Sequence, residues 1–261
     1  MKLLFMAALL GMSSLKTQTP EKKIKEEIFF YYEVKGSDTI QVQNGARIKS
    51  LLHCYDANGN LTEKYIDKSA IGETSTLKKL LVERSTYKQH KLIKTEKYSP
   101  SNGKKIQEVN YFYLPGTSKK EKEEYTTYDN EGKPNKLPNF VYVNLYSYIS
   151  DTVFSVKSFL YDGPSKSLKL SSQKRIATDK KGNVIREVYL SKGNEVLETI
   201  SFKYDKHENL LEKASRSFKE EYAYAKFDKF ANWREMTIGY AQREGGQKSS
   251  MLIKRKLNYY E

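Results

Sequence analysis

The strongest constraint on this chain is a turn that it writes repeatedly: an aromatic or small residue, an aspartate, two or three variable residues, an asparagine, then an apolar residue that opens the next segment. It stands as Tyr55-Asp56-Ala57-Asn58-Gly59-Asn60-Leu61, Thr178-Asp179-Lys180-Lys181-Gly182-Asn183-Val184, Tyr204-Asp205-Lys206-His207-Glu208-Asn209-Leu210 and Phe227-Asp228-Lys229-Phe230-Ala231-Asn232-Trp233. A shorter echo is Tyr128-Asp129-Asn130-Glu131-Gly132-Lys133. An aspartate heading a turn accepts a backbone hydrogen bond from two residues on, and a glycine in fourth place admits the left-handed backbone that returns the chain as a hairpin. Steps of 26 residues from Asp179 to Asp205 and 23 from Asp205 to Asp228 predict one such turn per pair of strands.

Between the turns the residues alternate. Val196, Ile200, Phe202 and Tyr204 share one face of a strand, with Leu197, Thr199, Ser201 and Lys203 on the other. Met251, Ile253, Leu257 and Tyr259 alternate with Lys254, Lys256 and Asn258, and Arg234, Met236, Ile238 and Tyr240 share a face after Trp233. Residues 28–34, 39–42, 46–55, 106–114, 140–149 and 152–161 also read as strands, rich in Tyr, Phe, Val and Ile. Leu77, Leu80, Leu81 and Arg84 fit helical spacing behind Ser75 as a cap, with another strand as the alternative. Residues 119–124 read as an exposed loop or strand edge. The expected fold is all-β: an antiparallel meander of hairpin repeats forming an extended twisted sheet, with room for one short helix. No Pro- and Ser-rich linker divides residues 19–261, so they read as a single domain.

These turns resemble those of YD-repeat, or Rhs-like, proteins, whose Tyr-Asp and Gly-Asn or Gly-Arg hairpins build long antiparallel sheets. The resemblance covers four full copies and one short one, concentrated after residue 170. It implies the sheet architecture and an exported bacterial setting, and supplies no catalytic residues; 261 residues exclude a large toxin shell. Glu208 and Ala231 stand where the pattern has glycine. A left-handed residue with a side chain costs roughly 1 kcal/mol, so those two turns are expected to differ in shape.

The start of the chain has the order of a secretory leader: Lys2, an apolar run from Leu3 to Met12 broken only by glycine, then Ser13 and Ser14. A helix of about ten apolar residues is roughly 15 Å long, half of the roughly 30 Å hydrocarbon core, too short for a permanent span. No later segment is apolar for long enough to make a helical membrane span. We therefore read 1–18 as a signal peptide and place the mature chain in the periplasm or outside the cell. The single cysteine, Cys54, excludes an internal disulfide and lies too far in to anchor a lipid at the mature N-terminus. Net charge is +14, falling to +12 once Lys2 and Lys16 leave with the leader. Such a field favours acidic partners, and equally serves solubility, since no block of five like charges occurs.

Catalytic signals are absent. His53, His90 and His207 lie far apart, and Cys54 points to the opposite strand face from His53, so no metal is expected. No nucleophile elbow, zinc motif, Walker loop or dinucleotide fingerprint occurs, and no cofactor is expected. Asp56, Asn58 and Asn60 lack the glycine and distant glutamate of a calcium loop. What remains is aromatic and basic residues displayed on strands: Tyr31, Tyr111, Tyr113, Tyr142, Tyr146, Tyr148, Tyr222, Tyr224, Trp233 and Tyr240. Most of these are expected in the core. Trp233, Tyr222, Tyr224 and Tyr240 are the candidate binding residues, stacking on sugar rings while lysines draw in an acidic polymer. The expected function is non-catalytic binding or scaffolding, with an acidic glycan or an envelope protein as partner and no nucleic acid. The alternative is an envelope-glycan hydrolase whose acid and base come from separate strands.

Overall fold

The computed structural model describes residues 23–35, 38–41, 50–67, 79–129, 132–133, 142–162, 165, 167–242 and 248–260. The expected leader therefore lies outside the described residues, as do Ser75, Leu77, Phe140, Val42 and 46–49. Among the described residues seventeen strands form: β1 (Ile24–Lys35), β2 (Asp38–Gln41), β3 (Ser50–Tyr55), β4 (Leu61–Asp67), β5 (Lys79–Lys88), β6 (Lys91–Tyr98), β7 (Lys105–Tyr113), β8 (Lys120–Thr127), β9 (Tyr142–Tyr148), β10 (Val153–Asp162), β11 (Ser167–Thr178), β12 (Val184–Leu190), β13 (Val196–Tyr204), β14 (Leu210–Ala214), β15 (Phe218–Phe227), β16 (Trp233–Gln242) and β17 (Lys248–Tyr259).

From β3 to β17 each strand pairs antiparallel with the next. The meander is not open, however. β17 pairs along the length of β1, from Ile24 opposite Tyr259 to Val34 opposite Ser250. The other edge of β1 pairs with β3 over Glu26–Phe30 and with β2 over Tyr32–Lys35. β2 and β3 thus fill one position, and the sheet closes into a barrel of 16 strand positions. Closure removes the two exposed edges that an extended sheet would present, satisfying their backbone donors and acceptors.

The repeated turns lie together at one end of the barrel, joining β3 to β4, β11 to β12, β13 to β14 and β15 to β16. Their geometry is uniform. The amide of Asp56, Asp179, Asp205 or Asp228 donates to the carbonyl oxygen of the closing asparagine at 2.8–2.9 Å. Oδ1 of each aspartate accepts from the amides two and four residues on. The fourth residue is left-handed in all four, with φ of 83° at Gly59, 91° at Gly182, 66° at Glu208 and 60° at Ala231. The turns at Glu208 and Ala231 therefore keep the common shape, contrary to expectation: six hydrogen bonds to Asp205 and Asp228 hold the strained residues in place. The short copy at Asp129 belongs to the opposite end, where Ser99, Ser191 and Ser215 build the neighbouring turns by accepting an amide from two residues on.

Three other expectations are corrected. No helix forms among the described residues, and Leu80, Leu81 and Arg84 lie on β5, paired to β4. Residues 120–124 are the first part of β8, a strand with neighbours on both sides and Glu123 only 4% exposed. Leu197 is not a regular outward residue: the register skips it between the Tyr189–Glu198 and Leu190–Val196 pairs, making it a bulge. Ile106, Ile185 and Leu211 are skipped in the same way, and these four are among the large apolar residues left exposed.

Candidate functional site

Alternation on a closed sheet sorts side chains into an inner and an outer wall. Of the ten aromatics singled out in the sequence, nine lie on the inner wall by alternation, on β1, β7, β9, β15 and β16, and Trp233, two residues before the outward Glu235, departs from the alternation and packs inward against Phe29 and Tyr224. They are not equivalent there. Around β15–β17 and β1 the wall is packed: Trp233 (2% exposed), Tyr222 (9%), Met236 and Ile253 form a core cluster, with Phe29, Tyr31, Tyr224 and Ile238 against it. Two of the four candidate binding residues, Trp233 and Tyr222, are thus buried, and neither offers an open ring face. Tyr224 is half-buried and hydrogen-bonded to the Leu210 carbonyl, and Tyr240 lies against Phe218 at 6.3 Å. Along β7–β13 the inner aromatics are only half-buried: Tyr111, Tyr113, Tyr142, Tyr146, Tyr148, Phe154, Tyr189, Phe202 and Tyr204.

The inner wall also carries charge, and five ion pairs stand on it among the described residues. Lys64 meets Glu83 at 2.8 Å, Lys120 meets Glu123 at 2.8 Å, Lys174 meets Glu187 at 2.8 Å, Lys213 meets Glu220 at 3.6 Å, and Arg255 meets Glu27 at 3.1 Å. Tyrosines complete four of these pairs by donating to the same carboxylates: Tyr125 to Glu123, Tyr189 to Glu187, Tyr222 to Glu220 and Tyr55 to Glu27, all within 2.9 Å. In three cases the sequence form is Glu-x-Tyr, a two-residue spacing that stacks both side chains on one strand face. That spacing is legible in the sequence. Glu63-x-Tyr65 and Glu96-x-Tyr98 do the same on the outer wall.

The most exposed cation of these pairs is Lys120, whose side chain is 37% exposed. Its ammonium lies 5.1 Å from the Tyr111 ring and 5.7 Å from the Tyr146 ring. Beneath it, Glu123 accepts from Asn144 Nδ2 at 3.0 Å, and Asn144 accepts from Ser158 at 2.7 Å. Burial pushes the Glu123 carboxyl upward, but Lys120, Asn144 and Tyr146 outweigh it and hold the group below its ordinary range. At Glu27 burial likewise opposes ionisation, and His53, Arg255 and Tyr55 together win. Both carboxylates are therefore charged acceptors, unsuited to donate a proton near neutrality. Among the described residues no three His, Cys, Asp or Glu side chains gather as a metal site.

The outer wall is different in kind. It carries ladders of charge: Lys203–Glu212–Lys219–Glu221 with contacts of 2.6–3.2 Å, Lys122–Glu124 at 2.8 Å, and the half-buried Lys105 between Glu96 and Glu108 at 3.2 and 2.8 Å. Arg84 pairs with Glu63, and Lys254 faces Glu235 in register. Among the described residues no helix is long and apolar enough to cross a membrane.

No protein-family model matches the sequence, and no curated protein matches it. Among solved structures, the chain is similar to a porin-like protein from Bacteroides uniformis, with 10% identity over 90% of this chain and 96% of that one, TM-score 0.36. A porin-like protein from Bacteroides vulgatus shows 10% identity over 92% and 99%, TM-score 0.35. A protein of unknown function from Bacteroides fragilis shows 15% identity over 51% and 89%, TM-score 0.34. At these values the likenesses carry no functional weight, and the ring closure rests on this chain's own strand pairing.

Proposed function

We propose that this chain is an exported, non-catalytic binding protein of the bacterial envelope or its surroundings, and that its ligand surface is the inner wall of a barrel surrounded by water. The observation that carries this is the asymmetry of the two walls. A barrel facing lipid needs an apolar outer band about 25 Å tall, and each Lys or Arg at mid-depth costs about 2–4 kcal/mol. Arg84 and Lys254, exposed at mid-strand on the outer wall, argue against that environment. The inner wall instead offers what a sugar-binding surface uses: half-buried aromatic rings with ion-paired hydrogen-bonding groups beside them. The leader-like start, the likeness of the turns to YD-repeat proteins and the basic balance support the exported setting and an acidic glycan as ligand.

The candidate residues move accordingly, from Trp233 and Tyr222 to Tyr111, Tyr146 and Lys120. A glycan array read at low and at physiological salt tests this. Binding should be lost in Tyr146→Ala and Tyr111→Ala and kept in Lys254→Ala, and binding to acidic glycans should weaken as salt rises, because exposed charges are screened within about 8 Å at physiological ionic strength. Loss confined to Lys254→Ala, or no binding to any glycan, would contradict an inner-wall glycan site.

A further inference from the structure

Beneath the aspartate-turn end, the pairing of the inner wall leaves nitrogen donors over. Arg255 is 5% exposed. Its Nε donates to the Trp233 carbonyl oxygen at 2.9 Å and its Nη1 to Glu27 Oε1 at 3.1 Å, while Nη2 is buried without a partner. The guanidinium carbon lies 4.0 Å from the Trp233 ring centroid. The indole Nε1 of Trp233 is also buried without a partner, and so is Nη1 of Arg234, the next residue. The acidic groups nearby are already engaged. Glu27 also receives the Tyr55 hydroxyl, and Asp228, which interacts electrostatically with both arginines, accepts from the Tyr259 hydroxyl and the amides of Phe230 and Asn232.

Guanidinium and indole N–H groups are donor-only and keep their protons across the pH range in which a protein stays folded. Titration cannot relieve their burial; only an acceptor can. We propose that Trp233 Nε1 and Arg255 Nη2 form a carboxylate-binding site, filled by a small free carboxylate or by the carboxylate of a sugar acid. Each N–H reaches an acceptor about 2.9 Å away, so one two-oxygen anion at the edge of the Arg255–Trp233 stack takes one bond from each group, the bond from Arg255 being charge-assisted. Phe29 and Tyr224 close the site, at 6.3 and 5.6 Å from the indole ring, so entry requires side chains to move and association is slow. The site stands apart from the half-buried aromatics of β7–β13 and does not depend on what they bind.

Trp233 is the chain's only tryptophan, so its fluorescence reports on the site directly. Sodium formate and sodium glucuronate are titrated against sodium chloride and glucose at matched ionic strength. The expected result is a slow, saturable change with a carboxylate, absent with chloride and glucose, and weakened about tenfold or more in Arg255→Lys. Phe29→Leu, which trims the ring closing the site, should speed the approach to saturation and keeps the test decisive where Arg255→Lys does not fold. Saturation by formate as tight as by glucuronate assigns the site to a free carboxylate; tighter glucuronate assigns it to a sugar acid. No saturable change with either carboxylate, an equal change with chloride, unaltered affinity in folded Arg255→Lys, or an unaltered rate in Phe29→Leu overturns the proposal.

Discussion

Asp205 holds its turn through the amides of His207 and Asn209 and through Asn209 Nδ2, each at 2.8–2.9 Å. At roughly 0.5–1.5 kcal/mol net per hydrogen bond, and less than additively, Asp205→Ala should cost about 1–3 kcal/mol. Ala231 stands at φ 60° without glycine's freedom. Ala231→Gly should therefore raise stability by up to about 1 kcal/mol, since relief of the left-handed penalty exceeds the entropy that glycine adds to the unfolded chain. Paired denaturant melts of the two variants check both signs; an Ala231→Gly variant less stable than the parent would mean that the turn does not carry this strain. The aspartates, the asparagines and the left-handed position were all legible in the sequence. The shape of the turns at Glu208 and Ala231 was not, because propensity weighs one residue while the fold weighs that residue against the hydrogen bonds around it. The burial of Trp233 and Tyr222 was equally hidden, since alternation says which side chains share a face and not what covers them.

Strands β7–β13 show why a charged segment can be a strand. Residues 120–124, Lys-Glu-Lys-Glu-Glu, contain no apolar residue, yet a bulge at Glu121 brings Lys120 onto the inner wall with Glu123, and alternation pairs Lys122 with Glu124 outside. Four of the five charges have a partner on their own wall, which a reading by hydrophobicity could not detect. The same networks set the pH range of the fold. Glu27 and Glu123 titrate below their ordinary value of 4.5 when folded, so their stabilisation is complete above that value and is lost as pH falls through the lowered one. Inner-wall tyrosines behave in the opposite sense. Burial foremost, together with Glu123 and other nearby acidic groups, raises Tyr111 to about 12, and burial and Glu123 raise Tyr146 further. Their contribution is complete below the ordinary tyrosine value of 10 and is lost as pH rises through the raised values. Near-ultraviolet absorbance followed with circular dichroism should show tyrosinate from the inner wall appearing together with loss of fold. Full tyrosine ionisation near pH 10 with the fold intact would contradict the placement of these rings.

At the scale of the whole molecule, the sequence made the strands and their antiparallel order legible and left their closure hidden. Hairpin pairings are local and announced by their turns, whereas β1 and β17 meet across some 230 residues with no turn between them. The choice between a wall that faces lipid and one that faces water also depends on closure, because only then do Lys203, Lys219 and Lys254 fall outside and Lys120, Lys174 and Arg255 inside. The inner-wall binding surface exists only if the ring is shut. Phe30 and Lys254 face each other across the β1–β17 seam on the outer wall. In a Cys54→Ser background, the double variant Phe30→Cys, Lys254→Cys should form an intramolecular disulfide under mild oxidation, since directly opposed residues lie about 4.5–5.5 Å apart between Cα atoms. Near-complete formation of that disulfide in monomeric protein is the predicted result; two free thiols in a folded chain would mean an open sheet with β1 and β17 at opposite edges.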